Sequence, residues 1–212
     1  MLITLEGING AGKTTLMPYI AKALEEHFEM PVILTREPGG STSIGAEIRK
    51  LIFSNPSLEK SAQLALFYAD RYAHISEVIK PALNMGKIVL CDRYIHSTFA
   101  FQGANFPVED LMDYAKQHFV LPTATFYFNL PLSVAEERLK SKSNNHFDAW
   151  DVNMQAQRIY SSFSNCSIPA VKWIVVDASK TYEETLSQVV QGIKTLPKPK
   201  FITATMRSRI LR

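Results

Sequence analysis

Short apolar runs alternate along this chain with longer segments in which apolar residues return every three or four positions. Leu2-Ile3-Thr4-Leu5 is the first run and reads as a β-strand. Leu16, Ile20, Ala23, Leu24 and Phe28 then recur at helical spacing and predict a helix over 13–28. Pro31 closes that region, Val32-Ile33-Leu34 is a second short strand, and Arg36-Glu37-Pro38-Gly39-Gly40 reads as a loop. A helix over 42–53 carries Ile44, Ile48, Leu51 and Ile52 on one face. A longer helical pattern runs from 58 to 83, ended by Asn84 and Gly86. Residues 87–92 are apolar without alternation, the pattern of a parallel strand covered on both faces.

The same rhythm continues to the C-terminal side. Helices are expected near 94–102 and 107–119, then a strand over 124–128. Pro131 opens a helix over 132–140, and Ser141 to Asn145 form a polar break. A helix near 148–163, a strand over 173–176 and a helix over 181–195 complete the pattern. Five strands separated by helices predict a five-stranded parallel sheet with helices on both faces. In such a sheet ligands gather beyond the carboxyl ends of the strands. The loop after the first strand, the 36–40 loop and Asp92 all fall there.

The first of these loops has a recognisable chemistry. Gly7-Ile8-Asn9-Gly10-Ala11-Gly12-Lys13-Thr14 is G-x-x-x-x-G-K-T, set between a strand and a helix, and Thr15 follows it. Its glycines let the backbone close around an anion, and its N–H groups, with the positive end of the next helix, favour phosphate. Lys13 is expected to reach the β- and γ-phosphates of ATP, and the Thr14 hydroxyl to sit on Mg²⁺. The fold class is therefore an α/β P-loop three-layer sandwich. No N-K-x-D guanine motif is present, and no D-x-x-G follows Asp92. Basic residues instead follow the strands, where a second anionic substrate can be held opposite ATP.

Composition narrows the setting. The 212 residues are 46% hydrophobic and 20% charged, ordinary for a globular protein. No apolar run approaches the roughly 20 residues that span a bilayer, and the N-terminus does not read as a signal peptide. Cys91 and Cys166 make no disulfide framework, and Cys91 lies in an apolar strand as a small buried hydrophobe. A reducing, cytoplasmic compartment is expected. The net charge of +3 comes from the end of the chain: residues 193–212 hold six Lys or Arg and no acid, leaving 17 basic against 20 acidic residues elsewhere. The expected organisation is one domain over 1–196, then a solvated basic tail over 197–212. Neither nucleic acid nor membrane is an expected partner.

Further motifs carry a family resemblance. Gly7 to Thr15, Thr35-Arg36-Glu37-Pro38-Gly39-Gly40, Leu66-Phe67-Tyr68-Ala69-Asp70-Arg71, and Asp92-Arg93-Tyr94 followed by Ser97-Thr98-Phe99-Ala100-Phe101-Gln102-Gly103 stand in order. In these residues, from 2 to about 190, the chain resembles the thymidylate (dTMP) kinases. The resemblance implies that residues 1–196 are a nucleotide kinase domain with a short lid at about 140–150, carrying out ATP- and Mg²⁺-dependent conversion of dTMP to dTDP. It implies that Phe67 stacks on thymine, that Arg71 donates to O4 of the base, and that Thr98 and Gln102, assisted by Ser97, read the base edge. Arg49 and Arg93 would grip the monophosphate, and Phe101 would limit room at the sugar 2′ position. Glu37 belongs to the same dTMP site, with Glu37-Pro38 a candidate cis peptide. Asp92 would order Mg²⁺ directly or through water, and Lys13, Asp92 and Arg93 would carry catalysis. A homodimer is implied as well.

Two positions depart from the family pattern. Asn9 stands where an acidic residue usually meets the sugar 3′-hydroxyl. The other departure is the transition-state arginine. Gly10 leaves it to the lid, yet Lys140 to Asp148 contain none, and Gln155 and Gln157 stand where arginines are common. Lys142, Arg138 and Arg158 are the substitutes considered, and His146 reads as an exposed lid residue. Two alternatives follow from the departures: a related deoxynucleotide kinase of altered specificity, or a weakly active nucleotide-binding paralogue.

Overall fold

The computed structural model describes residues 1–140, 149–163, 168 and 170–198. The polar break at 141–145, Lys142, His146, Cys166, most of the expected lid and the tail from 199 onward lie outside the described residues. Five parallel strands form one sheet in the order β2-β3-β1-β4-β5: β1 Leu2–Glu6, β2 Val32–Arg36, β3 Ile88–Asp92, β4 Ala124–Asn129 and β5 Lys172–Asp177. The central strands β1 and β3 are buried at every position, so helices must cover both faces. Helix α1 (Lys13–Phe28) packs on β2 and β3, and α9 (Tyr182–Lys194) packs on α1 and β5. At Gly192 a Cβ would sit 2.6 Å from the Phe126 ring, which shows how closely α9 rides on β4.

The remaining helices are α2 (Gly45–Ser54), α3 (Lys60–His74), α4 (Lys80–Asn84), α5 (Ile95–Gln102), α6 (Val108–His118), α7 (Leu132–Leu139) and α8 (Trp150–Ser162). The helix expected over 42–53 begins three residues later, after a turn through Ser41 to Ile44. The pattern expected as one helix over 58–83 is broken. A π-helical turn, Ile75–Ile79, separates α3 from α4. Pro81 explains it: proline lacks an N–H for the Glu77 carbonyl and its ring crowds that turn, and a widened turn relieves the crowding. Apolar periodicity continues across such a turn, so the sequence pattern alone does not reveal it.

The order of the strands sets the site. The chain leaves β1 toward β2 on one side and crosses from β3 to β4 on the other, so the switch point lies between β1 and β3. Parallel pairing places Leu5 beside Asp92, and Leu34 and Arg36 lie level with Leu90 and Asp92. The ends of β1, β2 and β3 therefore open at one level. At the far edge, α9 is anchored by a capping box. Thr181 accepts from the Glu184 N–H, and Glu184 accepts from the Thr181 N–H. Thr181→Ala should cost about 1 kcal/mol. It should lower the melting temperature by about 2–4 °C, measured by calorimetry.

Candidate active site

The loop after β1 wraps as its glycines dictate. Gly7 has φ +140°, and a Cβ there would meet the Phe128 carbonyl oxygen at 2.6 Å. Gly12, the residue before α1, is left-handed at φ +85°, with nothing within 4 Å of where a Cβ would stand. Open space at a helix N-terminus suits an anion. Lys13, buried, folds back so that its ammonium donates to the Gly7 and Ile8 carbonyls at 2.9 and 3.0 Å. Burial, with Arg93 nearby, pulls its pKa down to about 7, while Asp92 and Glu6 act the other way.

Thr14 and Asp92 meet at this point. The Thr14 hydroxyl donates to Asp92 Oδ2 at 2.6 Å, and the other carboxylate oxygen, Oδ1, is buried without a hydrogen-bond partner. An orphaned carboxylate oxygen beside a hydroxyl is an oxygen-rich donor set that suits a hard divalent cation. Among the described residues no cluster of three His, Cys, Asp or Glu forms a metal site, so a cation here would need oxygens from elsewhere as well. Mg²⁺ characteristically takes such oxygens from phosphate and water.

Arg93 follows Asp92 in a left-handed conformation, φ +70°, unusual for a residue with a side chain. Its N–H donates to Leu5 O, and its guanidinium donates to Gly7 O at 2.8 Å, to Ser97 Oγ at 3.1 Å and to Asn9 Oδ1. One arginine thus touches the phosphate loop and α5. Beneath it lies Glu6, fully buried. Its carboxylate accepts from Tyr94 N–H at 2.8 Å, Ser97 Oγ at 2.6 Å and Tyr160 hydroxyl at 2.9 Å. Burial raises the Glu6 pKa, against these hydrogen bonds and the Arg93 charge. Asn153, also buried, accepts from the Asn9 N–H at 3.4 Å.

A second cluster faces the loop from α3 and α5. Arg71 is 2% exposed, with its guanidinium 5.1 Å from the Tyr94 ring and 5.2 Å from the Phe119 ring. Nε donates to Glu37 Oε2 at 2.8 Å and Nη1 to Thr98 Oγ1 at 3.0 Å. Burial works against its charge, but neighbouring Glu37 outweighs that and the pKa is raised. Gln102 donates to Gln63 Oε1 at 3.5 Å. Arg49 donates to the Pro38 carbonyl at 2.9 Å and lies 4.5 Å over Phe53. Burial, then Arg36 and Arg93, lower its pKa.

A cavity of about 510 Å³ joins the two clusters. From the phosphate loop and the start of α1 it takes Asn9, Gly10, Ala11, Gly12, Lys13, Thr14 and Thr15; from the end of β3 and the residue after it, Asp92 and Arg93. Glu37, Arg49, Phe67, Arg71, Ser97, Thr98, Phe101 and Gln102 line its other half. Of the residues expected to bind ATP, dTMP or the metal, Gly7 and Ile8 alone are outside the lining. Ile8 is 1% exposed in the core, and Gly7 acts through its carbonyl. Glu37-Pro38 is cis. Of the arginines considered for the lid function, Arg138 donates to Gly10 O at 3.3 Å. Arg158 is exposed against the Met154 sulfur.

Comparison with known proteins decides the family. The sequence profile described as Thymidylate kinase matches residues 5–189. The chain belongs to the thymidylate kinase family. It is 36% identical over 200 residues to a protein named Thymidylate kinase from Fervidobacterium nodosum, covering 90% of this chain and 97% of the relative. A protein of the same name from Exiguobacterium sibiricum is 34% identical over 209 residues, covering 93% and 96%. One from Mycoplasma capricolum is 35% identical over 204 residues, covering 91% and 94%. As a member of this family the chain is a kinase. Among the described residues no helix is long and apolar enough to cross a membrane.

Several residues of the site carried no sequence signal strong enough to be assigned a role. Glu6 was visible as a lone acid ending an apolar strand. Arg36 stood inside a quoted motif, and it lines the cavity mouth. Asn153 and Tyr160 come from α8, more than 140 residues from the Asn9 and Glu6 they respectively touch, and local pattern does not report such contacts. Asp70, 1% exposed, holds the 36–40 loop by accepting from Gly39 N–H at 3.0 Å, and its Oδ2 has no partner. Burial pushes its pKa from the usual 3.8 up to about 6. The folded protein therefore holds this proton more tightly than the unfolded chain does. The associated stabilisation is complete below 3.8 and is lost as pH rises through about 6. Asp70→Asn keeps an acceptor for Gly39 and stays neutral. It should raise the melting temperature at pH 8 and give little gain at pH 4, read from thermal melts across that range.

Proposed function

We propose that this kinase transfers the γ-phosphate of ATP to dTMP, giving ADP and dTDP. One observation carries the reading. A single cavity runs from a phosphate-binding loop to a base slot bounded by Phe67, Arg71, Thr98 and Gln102, and Arg93 spans the two. ATP phosphates are held by the loop N–H groups and by Lys13, which leaves the Gly7 and Ile8 carbonyls to meet them. Mg²⁺ would be held by Thr14 and Asp92, directly or through water, and when bound it supplies neutralisation of phosphate charge. The dTMP phosphate is gripped by Arg49 and Arg93, with Arg36 at the mouth, since a guanidinium fork donates two bonds to one phosphate.

In this reading Phe67 stacks on the base and Arg71 donates to O4. The Gln102 amide, with Thr98 and Ser97 on the same helix, meets the rest of the base edge. Cytosine presents an amino group where thymine presents O4, so two donors would face each other and the slot would reject it. Phe101 closes the 2′ side of the sugar, and Asn9 serves the 3′-hydroxyl with an amide already shared with Arg93. In-line attack of a dTMP phosphate oxygen on the γ-phosphate then needs alignment and charge neutralisation more than covalent chemistry. Arg138, resting on the Gly10 carbonyl, is the described arginine best situated to add positive charge beside the loop. The family resemblance further supports one kinase domain over 1–196, a basic tail beyond it, a homodimer and a cytoplasmic setting.

An ADP-release assay over a panel of nucleoside monophosphates should give dTMP the highest kcat/KM, and another preferred acceptor overturns the assignment. Lys13→Ala should reduce turnover by ~10²-fold or more. Arg71→Ala should raise KM for dTMP by ~10- to 100-fold and leave KM for ATP near its original value. A further expectation comes from Lys13, whose pKa in the ligand-free protein is about 7. At pH 8 the amine is mostly neutral, and a phosphate beside it favours the charged form. ATP binding should therefore take up a proton at pH 8 and little at pH 6, read by calorimetry in buffers of different ionisation enthalpy.

A further inference from the structure

Arg71 can read a carbonyl only if its guanidinium is held at a fixed angle, and a chain of buried groups leads away from it. Glu37 takes Arg71 Nε on Oε2, and its other oxygen, Oε1, lies 2.7 Å from His74 Nδ1. A carboxylate accepts only, so Nδ1 carries the hydrogen. His74 Nε2 lies 2.7 Å from Thr35 Oγ1 on β2. His74 is 0% exposed, Glu37 5% and Thr35 9%, so each link is shielded from water. Arg71 and His74 are three apart on α3 and share a face, which lets them grip both oxygens of one carboxylate. Gly40 gives the imidazole its room, since a Cβ there would stand 3.1 Å from His74 Cδ2.

The consequence falls on the donors of Arg71. Glu37 and Thr98 take Nε and Nη1, and among the described residues no hydrogen bond is made by Nη2. Arg71 lines the cavity, whereas His74 does not. We propose that His74 is a positioning residue for base recognition. By pinning Glu37 between Thr35 and Arg71, it fixes the guanidinium so that its remaining edge meets O4 of a pyrimidine, and it thereby contributes to preference for dTMP over dCMP. This rests on the dTMP reading of the site. A carboxylate held at one oxygen only can pivot about it, and the guanidinium would pivot with it. The donor would then lose alignment with O4, weakening dTMP, while dCMP, which gains nothing from that donor, would be affected less.

His74→Phe keeps a ring and removes both hydrogen bonds. His74→Asn restores an N–H near the Nδ1 position, and Thr35→Val removes only the far link. Calorimetric titration of folded variants should show dTMP affinity falling ~10-fold in His74→Phe, less in His74→Asn and Thr35→Val, with ATP affinity unchanged. The dTMP-to-dCMP affinity ratio should fall in the same order. Added to Arg71→Ala, His74→Phe should weaken dTMP less than twofold further, because its effect passes through the arginine. Equal losses for ATP and dTMP, or full multiplication of effects in the double variant, overturns the proposal. If His74→Phe does not fold, an unchanged ratio in both His74→Asn and Thr35→Val overturns it. A wild-type protein without preference for dTMP over dCMP would instead defeat the underlying reading of the base slot.

Discussion

The pairing of β1 with β3 is the constraint on which the site depends. Each strand alone ends in an ordinary loop. Aligned in parallel with Leu5 beside Asp92, they bring the phosphate loop and the Asp92-Arg93 turn to the same edge of the sheet. The 2.6 Å bond from Thr14 to Asp92 and the contact of Arg93 with Gly7 follow from that register. A slip of one residue would turn both Asp92 and Arg93 to opposite faces and dissolve the arrangement. Glu6 secures the junction from below. Its carboxylate ties the last residue of β1 to the Tyr94 N–H, immediately after the left-handed Arg93. A residue held in that conformation costs energy unless its surroundings fix it, and here the hydrogen bonds from Arg93, Tyr94 and Ser97 do so.

Charge in the cavity is managed by two different solutions. Around the phosphate loop, cations predominate: Lys13, Arg93, Arg49 and Arg36 line it, and burial lowers the pKa of Lys13 and Arg49. Such a site stores unfavourable charge that an anionic ligand relieves, and phosphate affinity is the physical result. In the half around Arg71 the balance is internal. Arg71 is matched by Glu37, and Glu37 by His74, so that half is close to neutral and its donors are directed by hydrogen bonds. The first half suits a polyphosphate, and in the proposed reading the second half selects the base.

Much of the fold and site was legible because the signals are local. Helix α1 over 13–28 and the five strands are set by periodicity and residue type within a few turns of chain. The phosphate loop is likewise a contiguous motif whose glycines permit the positive-φ backbone it needs. The π-helical turn at Ile75–Ile79 was not legible, because Pro81 inside an apolar periodic run is compatible with a kink, a stop or a widened turn. Glu37 was legible as a site residue but not in its manner of acting: both of its oxygens are taken by Arg71 and His74, partners 34 and 37 residues away.

By itself the sequence determined the strand–helix alternation, the phosphate-binding loop and the residue types that suit a nucleotide monophosphate, because each depends on spacing within a short segment. Tertiary structure alone decided which groups share a charge or a proton. From α8, Asn153 reaches the phosphate loop and Tyr160 reaches Glu6, Glu6 turns inward beneath Arg93, and His74 on α3 closes on Glu37 in the loop after β2. Those contacts are set by strand order and helix packing. Distances of 2.6 to 3.4 Å between residues as far apart as 154 positions have no periodic signature along the chain.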